Sequence, residues 1–168
     1  MNDLDKERQT EGRKAWYAVQ TFYCKEEHLG KYLEKKGVNY FIPMRYIEHE
    51  TLDGKKHRKL TPAVHNLLFI EKEFTEKELL ERVKDCTIPF LLVRDRSTRR
   101  YYEIPDCEML DFRAVCDPNY KGTLYVDTVT AEARPGQAVR VIRGPFAGLE
   151  GKLTQYKKSY YVVVTLAT

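Results

Sequence analysis

No apolar run in the 168-residue chain approaches the roughly 18 residues of a membrane-spanning helix, and no charged-then-apolar leader opens it. A membrane role and secretion are therefore not expected, and a cytoplasmic location is. Cysteine is scarce: Cys24, Cys86, Cys107 and Cys116 are far apart and form no C-x-x-C pair. That spacing argues against a zinc ribbon and against a redox motif, and predicts reduced, mostly structural thiols. Cys24 and His28 lie four apart on an expected helix, but two further ligands are missing, so no metal is expected. No Ser-His-Asp set, phosphate loop or paired acidic motif stands out. Asp106 reads as a helix cap and Asp111 as a surface residue, so neither enzymatic activity nor a cofactor is expected.

Apolar residues make up 42% of the chain and aromatics 12%, enough for a core, so the 32% charged residues read as solvated surface. Residues 1–14 carry almost no apolar side chains and read as a flexible tail. The formal charge is +4, and all of it falls from Ala131 onward, where six basic residues face Glu132 and Glu150. That imbalance suits an anionic partner and equally a plain solvated surface.

Ala15–Phe22 is aromatic and β-favouring, a first strand. Over Glu26–Lys36, Leu29, Tyr32 and Leu33 share one helical face, and Gly37 follows as a stop. Asn39–Glu50 reads as a strand, Asp53-Gly54 as a tight turn, and Lys56–Leu60 as the returning arm, interrupted by Pro62. Val64–Ile70 is a continuous apolar run suited to a buried strand. Thr75 and Glu78 have capping-box spacing ahead of a second helix with Leu79, Leu80 and Val83 on its stripe. Phe90–Arg94 and Tyr101–Ile104 follow as strands, and Pro105-Asp106 opens a third helix to about Cys116. The order, roughly β-α-β-β-α-β-β-α, predicts the α+β class: an antiparallel sheet with packed helices over 15–117. A polar linker over 118–133 and a small all-β unit over 134–168 complete the expected organisation.

Pro135 to Leu153 resembles the KOW motif, with Gly136, Val139, Val141, Gly144, Phe146, Gly148, Gly151 and Leu153 at its patterned positions. Glycines there permit positive φ in tight turns, and the valines and Phe146 fill a miniature SH3-like barrel. Such barrels usually continue past the position of Thr168, so a shortened or incomplete barrel is also an expectation.

Upstream, Trp16-Tyr17-Ala18-Val19, then Val38 to Met44, Gly54-Lys55-Lys56 and Asn66 to Ile70 resemble the N-terminal domain of the NusG family throughout. Val38-Asn39, Pro43-Met44 and the Asn66 strand are more similar to the specialised RfaH and UpxY branch. The resemblance implies a non-catalytic transcription elongation and antitermination factor. Its N-terminal domain would dock an apolar cavity on the clamp helices of the largest RNA polymerase subunit. The matching positions are Gln20, Val64, Leu67 and Phe69, although Leu67 and Phe69 also suit plain core. The family often has an aromatic residue where Gln20 and Leu67 stand, and Pro-Gly-Tyr or Pro-Asn-Tyr where this chain has His65-Asn66-Leu67.

Two basic segments offer a second contact. Lys55, Lys56 and Arg58 crowd a hairpin tip that could meet phosphates or polymerase, or be a solvated loop. Lys25, His28, Lys31 and Lys35 share the first helix, which by the RfaH resemblance would face non-template DNA, with nascent RNA a further candidate. Arg94, Arg96, Arg99 and Arg100 read as a solvated turn. The KOW unit would take a second partner such as the ribosome. The rival readings are a general NusG that assists the termination factor Rho, and a ribosome-associated RNA-binding module. The latter's glycine-aromatic stacking strand is not evident.

Overall fold

The computed structural model describes residues 14–125, 136–143, 146–156 and 159–164. Residues 1–13 of the expected tail and 126–133, the second half of the expected linker, lie outside them.

The organising strand is β1 (Ala15–Thr21), whose residues are buried except Gln20. It pairs antiparallel with β5 (Leu67–Glu71) on one side, and with β6 (Phe90–Leu92) and β7 (Glu103–Pro105) in succession on the other. The short β2 (Tyr40–Phe41) flanks β5. Period-two alternation splits β1 between two cores. Tyr17 and Val19 join Leu68 and Ile70 beneath α1 (Glu26–Lys35) and α2 (Glu76–Arg82). Trp16 and Ala18 join Phe69, Ile104 and Met109 on the opposite side, against α3 (Asp106–Val115). Helices on both faces explain why β5 is an unbroken apolar run rather than an alternating one.

Several boundaries depart from expectation. The segment Asn39–Glu50 is two strands, because Ile42-Pro43 separates β2 from β3 (Met44–Glu50). The arm β4 (Lys56–Pro62) runs through Pro62, which closes the ladder opposite Met44 and needs no further donor there. Val64 lies in a bend before β5, and Tyr101 makes only an isolated bridge with Arg94 before β7. The order before Cys116 is therefore β-α-β-β-β-β-α-β-β-α, within the α+β class expected.

Thr75 forms the full capping box, its hydroxyl accepting from Glu78 N while the Glu78 carboxylate accepts from Thr75 N at 2.9 Å. Such caps contribute about 1 kcal/mol. Asp106 is not a cap, since Pro105 holds that position; its carboxylate accepts the Trp16 indole N–H at 2.9 Å and ties α3 to β1. Asp111 is half-buried rather than a free surface group, and burial, then Glu150, raises its pKa. Of the four thiols, Cys24 and Cys107 are exposed, which corrects the mostly structural reading. Cys116 is buried, and its thiol is pushed up to about 11.

Helices α1 and α2 are joined at the surface through Asp85, which accepts from Tyr32 Oη at 2.5 Å and from Lys36 Nζ at 2.7 Å. Lys36 first, then Tyr32, draws the carboxyl from its ordinary 3.8 to about 2. A depressed carboxyl contributes stability above its unfolded value and loses it as pH falls through the folded one. Asp85→Asn should therefore remove the part of the acid-induced loss of stability that falls between pH 3.8 and about 2. Urea midpoints of both proteins across that window test this, and parallel acid limbs would contradict it.

The C-terminal residues form a three-stranded antiparallel sheet: β8 (Gln137–Arg140), β9 (Glu150–Tyr156) and β10 (Ser159–Val163), with β9 central. The motif glycines have separate causes. A Cβ on Gly151 would stand 2.5 Å from the Val163 carbonyl oxygen, and one on Gly136 would stand 2.5 Å from that of Leu153. Gly148 has φ +95 and closes the β8–β9 connection, donating to the Val141 carbonyl at 2.7 Å. Phe146 meets Tyr120 edge-on at 4.6 Å. Gly144 lies outside the described residues. No helix among the described residues is long and apolar enough to cross a membrane.

Candidate functional site

The face of the sheet that carries Trp16 and Ala18 is sealed by α3 at one end and open at the other. Gln20 stands opposite Leu67 on β5 and opposite Leu91 on β6, so these three side chains form one row across three strands. Gln20 is exposed, Leu67 half-buried, and Leu91 58% exposed. An exposed leucine on an otherwise packed sheet, beside a partly covered one, is a surface that a partner can desolvate. Half-buried Phe41 and Val93 lie in the apolar layer behind it.

Of the four expected docking residues, the structure brings Gln20 and Leu67 to this open row. Phe69 lies deeper, 1% exposed, with the Phe112 ring 5.5 Å away edge-on and Phe41 stacked at 6.3 Å. Val64 sits in the preceding bend, half-buried, and not on a strand. In the turn that delivers Leu67, Asn66 has φ +60, a conformation that glycine and asparagine tolerate best. Leu91 is a member of this row that the sequence pattern alone does not single out. Its signal was a leucine at the centre of a short strand whose two neighbours face the other way.

The β3–β4 hairpin is a separate two-stranded sheet, closed at its base by Ala63 N donating to the Pro43 carbonyl at 2.8 Å. Its tip turns at Gly54, φ +77. The hairpin is not uniformly basic, because Glu50 stands opposite Lys56 and Glu48 opposite Arg58, whose guanidinium also lies 4.2 Å from the Tyr46 ring centroid. The other face carries Arg45, His49, His57 and Lys59 in register, without a carboxylate among them. The expected tip residues Lys55, Lys56 and Arg58 are all exposed; Lys55 pairs with Asp53 at 3.5 Å.

On α1, His28, Lys31 and Lys35 recur at three and four residues and form an exposed basic stripe opposite the buried Leu29 and Leu33. Lys25 caps the same helix and is exposed. Cys24 precedes the helix with φ +52, so it does not share a helical face with His28. The four arginines after β6 surround a turn whose Asp95 carboxylate accepts from Ser97 N at 2.7 Å and Thr98 N at 2.9 Å, consistent with a solvated turn.

A family model described as transcription termination factor nusG matches residues 14–113, and a KOW motif model matches residues 135–166. Among solved structures, the one described as domain interaction in Thermotoga maritima NusG is similar at 21% identity. That match covers 86% of this chain and 81% of that one, with a TM-score of 0.45. No curated protein matches.

Proposed function

Because the chain belongs to the NusG family, we propose that it is a non-catalytic adaptor that grips RNA polymerase and suppresses pausing or termination at particular operons. Residues 15–117 form the gripping unit, 118–133 the linker, and 134–168 a KOW unit that recruits a second partner such as the ribosome. A linker of this kind raises the effective concentration of that partner at the transcribing complex.

The observation that carries the reading is the open row of Gln20, Leu67 and Leu91 on a sheet otherwise covered on both faces. It supplies two leucines flanking Gln20 for docking on the polymerase clamp helices, with Val64 a further candidate contact. The carboxylate-free hairpin face and the His28–Lys31–Lys35 stripe are two exposed basic surfaces available to nucleic acid. Phosphate contact by either surface predicts salt-dependent affinity.

Operon selectivity, with polysaccharide biosynthesis operons as the candidates, rests on the RfaH- and UpxY-like residues Val38-Asn39, Pro43-Met44 and Asn66. A general NusG assisting Rho is the competing reading, and transcripts separate the two. Deleting the gene should change read-through at a few operons only. Transcript ends shifted across the genome would instead identify a general factor. In single-round transcription, the full chain should shorten pauses on templates from the affected operons; unchanged pausing on every template would overturn the antitermination reading.

A further inference from the structure

The loop that leaves β1 and the turn that enters β5 meet over one buried carboxylate. Glu26 is 1% exposed, although it sits in the first turn of α1. Its Oε2 accepts from Thr21 Oγ1 at 3.3 Å and from Asn66 N at 3.2 Å. Among the described residues, its Oε1 has a hydrogen-bond partner only in His65 Nδ1, at 3.4 Å. Among the described residues no lysine or arginine pairs with it. Cys24 completes the group: its backbone N donates to Asn66 Oδ1 at 2.9 Å, and ligand atoms of Cys24, Glu26 and His65 all lie within 4.8 Å of one another.

Three features of this group point the same way. A buried carboxylate held by hydrogen bonds and one histidine, with no lysine or arginine beside it among the described residues, is further stabilised by a bound cation. The Glu26–His65 separation is long for a charge-assisted hydrogen bond, which falls at about 2.7–2.9 Å. It equals the edge of a metal tetrahedron, because two ligands about 2.0–2.1 Å from zinc stand about 3.3–3.4 Å apart, and the exposed Cys24 side chain, within 4.8 Å, closes on the same ion by rotation. Finally, Tyr23 and Cys24 both have positive φ, 57 and 52, and Asn66 has 60. Residues held in this region cluster where the surrounding structure has a use for them.

We propose that Cys24, Glu26 and His65 form a binding site for a zinc-class divalent cation that clips the β1–α1 loop to the β4–β5 turn. A thiolate, an imidazole and a carboxylate are the donors that suit such an ion, and the thiolate disfavours magnesium and calcium. Thr21 and Asn66 hold the ligands in place: Glu26 Oε2 is occupied, leaving Oε1 for the metal, and the Cys24 backbone is fixed. Both Cys24 and His65 are exposed, so the ion enters from solvent and water takes the fourth position.

The test uses the full chain, stripped with a chelator and kept reduced, and titrated with cobalt(II) and then zinc(II). One cobalt per chain should bind with a thiolate-to-metal charge-transfer band, and zinc should displace it. Cys24→Ser should abolish the band and weaken zinc binding by at least about 100-fold, since even outer-shell changes cost 10–100-fold. His65→Asn should weaken it comparably. Cys107→Ser, which alters the other exposed thiol, should change neither. Absence of stoichiometric binding, or a band that survives Cys24→Ser, overturns the proposal. The polymerase reading stands or falls separately, because none of these measurements involves polymerase.

Discussion

Leu91→Asp should reduce the affinity of the full chain for RNA polymerase by about 30-fold or more, with little change in its own stability. The stability half follows from exposure: at 58% exposed, Leu91 contributes little to the core, and an aspartate there keeps its water. The affinity half follows from position. Leu91 stands at the β6 end of the open row, with Gln20 between it and Leu67, and is the more exposed of the two leucines. An apolar hot-spot side chain that a partner covers is typically worth about 2 kcal/mol or more, and each 1.4 kcal/mol is about tenfold. A carboxylate buried there without a partner adds its desolvation cost to the lost contact. Leu80→Asp is the matched control, because Leu80 is 44% exposed but lies on α2, which covers the opposite face. It should bind polymerase as the unaltered chain does. Equal affinities for the two variants would remove this face from the docking model.

Elements with a local cause were legible in the sequence. The Thr75–Glu78 capping box reads directly because both partners lie within four residues. The three motif glycines in the described residues likewise announce turns and close approaches that only glycine permits. Features made by register were not legible. Whether Leu67 or Phe69 faces a partner depends on how far α3 extends over the sheet, and that is set by Trp16 bonding Asp106 across 90 residues. Leu91 joins the row only through pairing with Gln20, and Glu26 meets His65 across 39 residues. The four-residue spacing of Cys24 and His28 suggests a shared face only if the helix reaches back to Cys24. The left-handed backbone at Tyr23 and Cys24 breaks that condition.

By sequence Phe69, like Leu67, suits either a docking surface or plain core, and its replacement decides which role it has. Phe69→Ala should lower folding stability by about 3–5 kcal/mol, the usual cost of emptying a buried phenylalanine site. The site cannot easily collapse. Phe69 lies between the β1 residues Trp16 and Ala18 and the α3 residues Met109 and Phe112, and the sheet and helix are tied by the Trp16–Asp106 bond. Its edge-on contact with Phe112, 5.5 Å between centroids, would be lost as well. Against a total of roughly 5–15 kcal/mol for a domain, that loss is large enough to populate the unfolded state. Trp16 is the chain's single tryptophan and is 3% exposed in this same cluster, so its fluorescence during urea unfolding reports on this core. Polymerase binding should fall only in proportion to the unfolded fraction, and recover when the variant is assayed well below its midpoint temperature. If instead stability changes by less than about 1 kcal/mol while affinity collapses, the side chain belongs to the docking surface, and α3 must yield to the partner.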